Sequence, residues 1–209
     1  KDPARDALPL VANFALQAAV GFVVGFVRGL VDGILKGAHV DTLPALGANL
    51  GLGLVTGILQ MLVGAWLGAG AYLFALKVAR GQPRAAQDVF AGGPFLVSMF
   101  GAQLLTALAV LGAMLLFIVP GIIVALGFSL AALVIVDQRL GAVAALGKSW
   151  SLTQGHRMNL FVLGLLLIVA AFVGLLACCV GLIAVYPLGV LALTYAYLHC
   201  VGERPVPSA

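Results

Sequence analysis

Apolar residues fill six long stretches of this chain, and polar residues gather in two connections between them. The apolar stretches do not alternate with period two, so they do not read as strands of a membrane barrel. Each reaches or approaches the roughly 20 residues that a helix needs to cross a bilayer. The pattern predicts spans over Leu8–Lys36, Leu46–Leu76, Phe95–Val119, Gly121–Val136, Leu160–Val180 and Leu182–His199. The polar connections are KVARGQPRAAQDVFAGGP, with Lys77, Arg80 and Arg84, and DQRLGAVAALGKSWSLTQGHRMN, with Arg139, Lys148 and Arg157. The turns IVPG and CCVG are short and uncharged. Cationic loops stay in the cytoplasm. Both basic connections are therefore expected inside, the short turns outside, and both termini inside. A second reading lays the first segment along the membrane surface, which leaves five spans; its uninterrupted run from Leu8 to Val27 favours spanning.

Composition strengthens this reading. Of 209 residues, 63% are hydrophobic and 9% charged, where a soluble domain carries about 25% charged residues. Too few polar side chains exist to coat a globule in water. The 27 glycines fit a membrane bundle, in which small residues let helix backbones approach closely. The net charge of +4 lies in the connections and forms no basic cluster, so no nucleic-acid partner is expected. The chain opens KDPARDALPL, and its first apolar run flows into a charged helix, so no cleavable signal peptide is expected. The whole chain reads as one integral membrane domain, with residues 8–36 as a glycine-zippered first helix and residues 45–200 as the bundle.

That first helix has an unusual stripe. Gly21, Gly25, Gly29, Gly33 and Gly37 stand four apart, and so do Arg28, Asp32 and Lys36 beside them. Asn13 and Gln17 lie on the same broad side, whereas Leu16, Val23, Val27, Leu30 and Ile34 lie opposite. The glycines are expected to form a groove for another helix, foremost within the same bundle. The Arg28, Asp32 and Lys36 side chains are expected to pair at i,i+4. Packing between subunits around a water-filled path is the alternative. Gln60, inside the second span, is expected to hydrogen-bond within the bundle.

A faint repeat runs through the second half. A shift of 62 residues places Gly93 on Gly155, Met99 on Phe161, Leu104 on Leu166 and Gly112 on Gly174. Each unit reads as span, basic connection, span, in parallel rather than inverted sense.

The stretch FIVPGIIVALGFSLAALVIVDQRLGAVAALGKSWSLTQGHRMNLFVLGLLL carries Pro120 and Gly121 opening a span and Asp137 at its inner end. Ala144 and Ala145 follow in an Ala-rich helix, then Ser149, and Gly155 before the next span. Together with Arg80-Gly81 and Phe90 in the earlier connection, this pattern resembles the membrane domain of bacterial glycerophosphoryl diester phosphodiesterases and YciC-type inner-membrane proteins. The likeness covers roughly residues 45 to 200. It implies a bacterial inner-membrane helical domain. It implies no catalysis, because the phosphodiester chemistry of that group belongs to a separate soluble barrel domain.

The remaining candidate chemistry is sparse. Pro120 and Gly121 suit the first turn of a helix, where proline's missing N–H would be unpaired anyway. Asp137 is expected to cap the next helix or to pair with Arg139. GKSW lacks the upstream glycine of a phosphate-binding loop, since residue 142 is alanine, so no nucleotide is expected. The Ala-rich stretch Gly141–Leu152 reads as an interfacial helix, with Trp150 at headgroup depth and Lys148 and Arg157 gathering lipid phosphates. His39, His156 and His199 have no second ligand at helical spacing, and Cys178, Cys179 and Cys200 form no C-x-x-C, so neither a metal nor a disulfide framework is expected. Ser129, Ser149 and Ser151 have no neighbouring base, so no serine nucleophile is expected. The sequence thus predicts an all-α, six-span inner-membrane bundle without enzymatic activity or cofactor. It would act as an accessory or scaffold in contact with lipid, with a second copy, or with another membrane protein. An oligomeric channel or transporter lined by the first helix is the alternative.

Overall fold

In a computed structural model, the protein is described over residues 3–37, 43–83, 85–176 and 180–203, with side chains described over 8–30, 33, 51–83, 85–174 and 185–203. It is all-α, with no strand among the described residues. Three helical hairpins follow one another. The first is α1 (Pro3–Gly37) with α2 (Leu43–Ala79). The second is α3 (Leu96–Leu116) with α4 (Ile118–Phe128) and α5 (Ala131–Gln138). After α6 (Ala142–Thr153) comes the third, α7 (Arg157–Leu176) with α8 (Val180–Val201). Five segments are long and apolar enough to cross a membrane: Leu8–Leu30, Gly51–Ala79, Ala86–Leu116, Ile118–Gln138 and Arg157–Gly174. The predicted sixth span corresponds to α8, of 22 residues. The chain is a multi-pass helical membrane protein.

The outgoing arms α1, α3 and α7 carry most of the exposed large apolar side chains, among them Phe22, Phe26, Leu108, Leu165 and Phe172. These point away from the bundle. The returning arms form the inside. Along α2, Ala65, Ala69, Ala71, Ala75 and Ala79 are all buried, and their small side chains let four neighbours close around one helix. The main core joins Ala65, Ala69 and Ala79 to Leu130, Leu133, Val134 and Ile135 from the α4–α5 arm and to Tyr197 and Leu198 of α8, while Ala71 and Ala75 pack with Leu10, Phe74, Val89 and Val190.

Local chemistry sets the boundaries. Phe117 is extended (φ −161°, ψ 152°) and separates α3 from α4. Pro120 then sits in the first turn of α4, where it removes no intrahelical hydrogen bond. Gly121 is buried, and a Cβ there would stand 2.4 Å from Met114 Cγ, so its hydrogen lets α3 and α4 close. Gly155 has φ +87° in the turn between α6 and α7, a conformation that side chains disfavour.

The fourth predicted span is not continuous. Between α4 and α5 the helix is interrupted at Ser129 and Leu130, where Ser129 Oγ donates to Leu126 O at 2.8 Å. This side-chain bond competes with the backbone ladder. Across the break, Ser149 Oγ of α6 donates to Gly127 O at 2.8 Å. The first polar connection is not a plain loop either. It folds as two short 3-10 helices, Ala86–Phe90 and Gly93–Phe95, which bury Val89 and Phe95. Lys77 Nζ pairs with Asp88 at 2.9 Å and ties this segment to the end of α2.

Candidate functional site

The returning arms end together. Arg80 follows α2, Asp137 lies in the last turn of α5, and Glu203 follows α8. Arg80 reaches both acids. Its Nη2 donates to Asp137 Oδ2 at 3.0 Å, and its Nη1 donates to Asp137 Oδ1. Its Nε donates to Glu203 Oε2 at 2.8 Å, and Nη2 also reaches Glu203 Oε1 at 3.1 Å. Tyr197 OH donates to Asp137 Oδ2 at 2.8 Å, and Gln138 Nε2 donates to Tyr197 OH at 3.2 Å. The planar guanidinium matches both carboxylates at once, which a lysine could not do. Hydrogen bonding to Asp137, then to Glu203, holds the Arg80 proton even more tightly than usual. The site therefore carries a fixed charge and joins three hairpins at one end. The expectation that Asp137 caps the next helix or pairs with Arg139 is corrected. Arg139 is exposed and takes a left-handed conformation (φ 52°) that turns the chain into α6.

The first helix docks through polar groups. Asn13, fully buried, donates from Nδ2 to Leu67 O at 3.0 Å. Gln17 Nε2 donates to Asn13 Oδ1 at 2.6 Å and to Tyr186 OH at 3.0 Å, and Phe14 lies against Tyr186 with ring centroids 5.0 Å apart. These contacts join α1 to α2 and α8 inside the bundle. Hydrogen bonds of this kind between membrane helices contribute about 0.6 kcal/mol on average, but a partner left without one loses more. Asn13→Leu is expected to lower the thermal midpoint in detergent, with α1 becoming sensitive to protease before the other helices. An unchanged digestion pattern would show that α1 docks by shape alone.

The glycine groove is placed differently from the expectation. Gly21 lies over α2, where a Cβ would meet Gln60 Nε2 at 3.4 Å. Nothing lies within 4 Å of a Cβ added at Gly25, Gly29 or Gly33. Steps of four residues drift by about 40°. Gly33 therefore stands about 120° round from Gly21, away from the face that packs. That face is Leu10, Asn13, Gln17, Gly21 and Val24, a mixture of three- and four-residue steps. Among the described residues, nothing fills the groove at Gly25, Gly29 and Gly33. Arg28 is exposed, but its Nη2 would stand 3.2 Å from a Cβ on Gly53 of α2. Gln60 is exposed rather than buried. Gly37 is the last residue of α1, and Asp32 and Lys36 stand on its last turns; these three side-chain positions lie outside the described residues, as do His39, Arg84, Cys178 and Cys179.

The closest backbone approaches occur elsewhere. A Cβ on Gly70 of α2 would stand 1.7 Å from Val89 O, and one on Gly92 would stand 1.9 Å from Trp66 O. Here α2 lies directly on the backbone of the first connection. Both glycines were indistinguishable in sequence from their many neighbours.

The predicted headgroup group is split. Helix α6 is present but packs against α3, α4 and α5, burying Ala145, Leu146, Ser149 and Thr153. Trp150 is half-buried. It fills the notch that Gly127 leaves, where a Cβ would stand 2.3 Å from its ring, and it lies against Phe128. Arg157 stacks on the same indole, with Cζ 4.2 Å from the ring centroid. Lys148 is exposed. Thus Trp150 and Arg157 act together as a packing pair across the α6–α7 turn.

Comparison with family models, with curated proteins and with solved structures finds no match.

Proposed function

We propose that this protein is a non-enzymatic scaffold of the bacterial inner membrane, which offers the outer half of its first hairpin to another membrane helix. The observation that carries this reading is the unburied hairpin. Helices α1 and α2 have 35 and 37 residues, about 52 and 55 Å at 1.5 Å per residue. Helices α3, α7 and α8 have 21, 20 and 22. Among the described residues, none of α1 after Val24 and none of α2 before Met61 is buried. Phe26, Val27, Leu30, Leu54, Val55 and Ile58 are exposed there, beside the open positions of Gly25, Gly29 and Gly33. Small residues next to apolar ones form the close contact surfaces of membrane helices. The resemblance of residues 45 to 200 to the membrane domain of phosphodiesterases supports an accessory role, in which α1 is the added element. The occupant is a second copy or a partner subunit, and α3 and α7 meet lipid.

The test is photo-crosslinking in native membranes. A photoreactive side chain at Val27 or Leu54 should give discrete protein adducts, and one at Leu166 on α7 should give lipid adducts alone. Gly29→Leu should abolish the protein adducts without lowering the thermal midpoint of the isolated chain, because nothing stands near that position. Lipid adducts from all three sites would remove the scaffold reading. A large loss of stability in Gly29→Leu would show that the groove is filled within the bundle.

A further inference from the structure

A second opening lies at the end where the returning arms meet. Between the start of α7 and the end of α8 is a crevice of about 330 Å³, lined by His156, Asn159, Leu160, Leu163, Ala192, Ala196, His199 and Cys200. Its chemistry is graded along its length. His156, Asn159 and His199 stand at the mouth, at the first turn of α7 and the last turn of α8. Leu160, Leu163, Ala192 and Ala196 continue one and two turns further into the membrane-spanning part of the same helices. The rings of His156 and His199 lie edge to face, with centroids 5.9 Å apart. Among the described residues, His156 Nδ1 is buried without a hydrogen-bond partner. Unpaired buried nitrogens of this kind are rare in folded proteins. No acidic residue stands in the first turn of α7.

We infer that this crevice binds one membrane phospholipid, its phosphate at His156, Asn159 and His199 and an acyl chain along Leu160, Leu163, Ala192 and Ala196. The donors and the apolar floor belong to one continuous opening, which fits an amphiphile. A free phosphate would satisfy the mouth and leave the floor bare. This moves lipid recognition from the exposed cation Lys148 to a built cleft. It does not depend on what docks on α1.

The experiment uses the full chain purified in detergent, delipidated, and mixed with phosphatidylglycerol. Retained lipid is counted by native mass spectrometry, with thermal midpoints measured in parallel. The wild type is expected to hold one lipid per chain that excess inorganic phosphate does not displace. Asn159 and His199 are exposed, so Asn159→Leu with His199→Leu leaves the fold intact. Retention by that variant is expected to fall about tenfold, the ratio given by losing roughly one charge-assisted hydrogen bond. Ala196→Phe, which fills the floor and touches no donor, should lower retention equally, and Lys148→Gln should not change it. Unchanged retention in Asn159→Leu/His199→Leu overturns the assignment, whatever Ala196→Phe does. Displacement by inorganic phosphate also overturns it and makes the mouth a free-phosphate site.

Discussion

Gly70→Ala and Gly92→Ala should each destabilise the protein by at least about 3 kcal/mol, the upper end of what overpacking costs. The reason is the identity of the atoms in the way. A Cβ at Gly70 would overlap Val89 O at 1.7 Å, and one at Gly92 would overlap Trp66 O at 1.9 Å. Carbonyl oxygens of a helix and of a packed turn cannot rotate aside as a side chain can. Both substitutions must push α2 away from the first connection, and with it Val89, which is fully buried. Gly57→Ala and Gly68→Ala, where a Cβ meets nothing within 4 Å, should cost nothing or gain up to the roughly 0.5–1 kcal/mol that favours alanine in a helix interior. Thermal unfolding in detergent, with the four variants side by side, checks this. Equal midpoints for Gly70→Ala and Gly68→Ala would refute the close contact.

Removing the cation at the junction of the hairpins should be nearly as severe. Arg80→Leu strands Asp137, whose side chain is 13% exposed, with only Tyr197 still donating to it. Breaking a buried pair from one side costs about 3–5 kcal/mol. Arg80 keeps 25% of its side chain exposed, so the lower end, about 3 kcal/mol, is expected. Arg80→Leu with Asp137→Leu should recover most of that loss, because the one charge then left without its partner, Glu203, is 47% exposed and solvated by water. Glu203→Gln should change stability by under about 1 kcal/mol, as its side chain is 47% exposed and water screens the pair. Unfolding midpoints of the three variants measure the coupling directly. A double variant as unstable as Arg80→Leu would show that the charges act independently.

The parts of the fold set by solvent preference were readable from the chain. Apolar length placed the membrane segments, the basic residues marked the polar connections, and Pro120 with Gly121 marked the start of α4. The interfacial stretch Gly141–Leu152 is helix α6, Ala142–Thr153. What escaped depends on partners distant in sequence. Asp137 is two positions from Arg139 in the chain, yet its partner is Arg80, 57 positions away. Local adjacency cannot show that three helix ends converge. Gly70 and Gly92 were hidden among 27 glycines, because crowding by another backbone leaves no local pattern. The four-residue spacing of Gly21, Gly25, Gly29 and Gly33 was conspicuous for the opposite reason, and only Gly21 meets another helix here. Helical drift turns the later glycines off the packed face. Trp150 was read from its position near cations, and the notch at Gly127 that it fills lies 23 residues before it on another helix.

The central claim is that three hairpins return to one side of the membrane and are joined there by Arg80, Asp137 and Glu203. Its most direct test is sidedness. Single cysteines at Gln82, Gln138, Glu203 and Phe117, in a chain whose own cysteines are replaced by serine, are treated with a membrane-impermeant thiol reagent. The account predicts labelling of residues 82, 138 and 203 only in inverted vesicles, and of residue 117 only in intact cells. Labelling of residues 82 and 203 from opposite sides would contradict it.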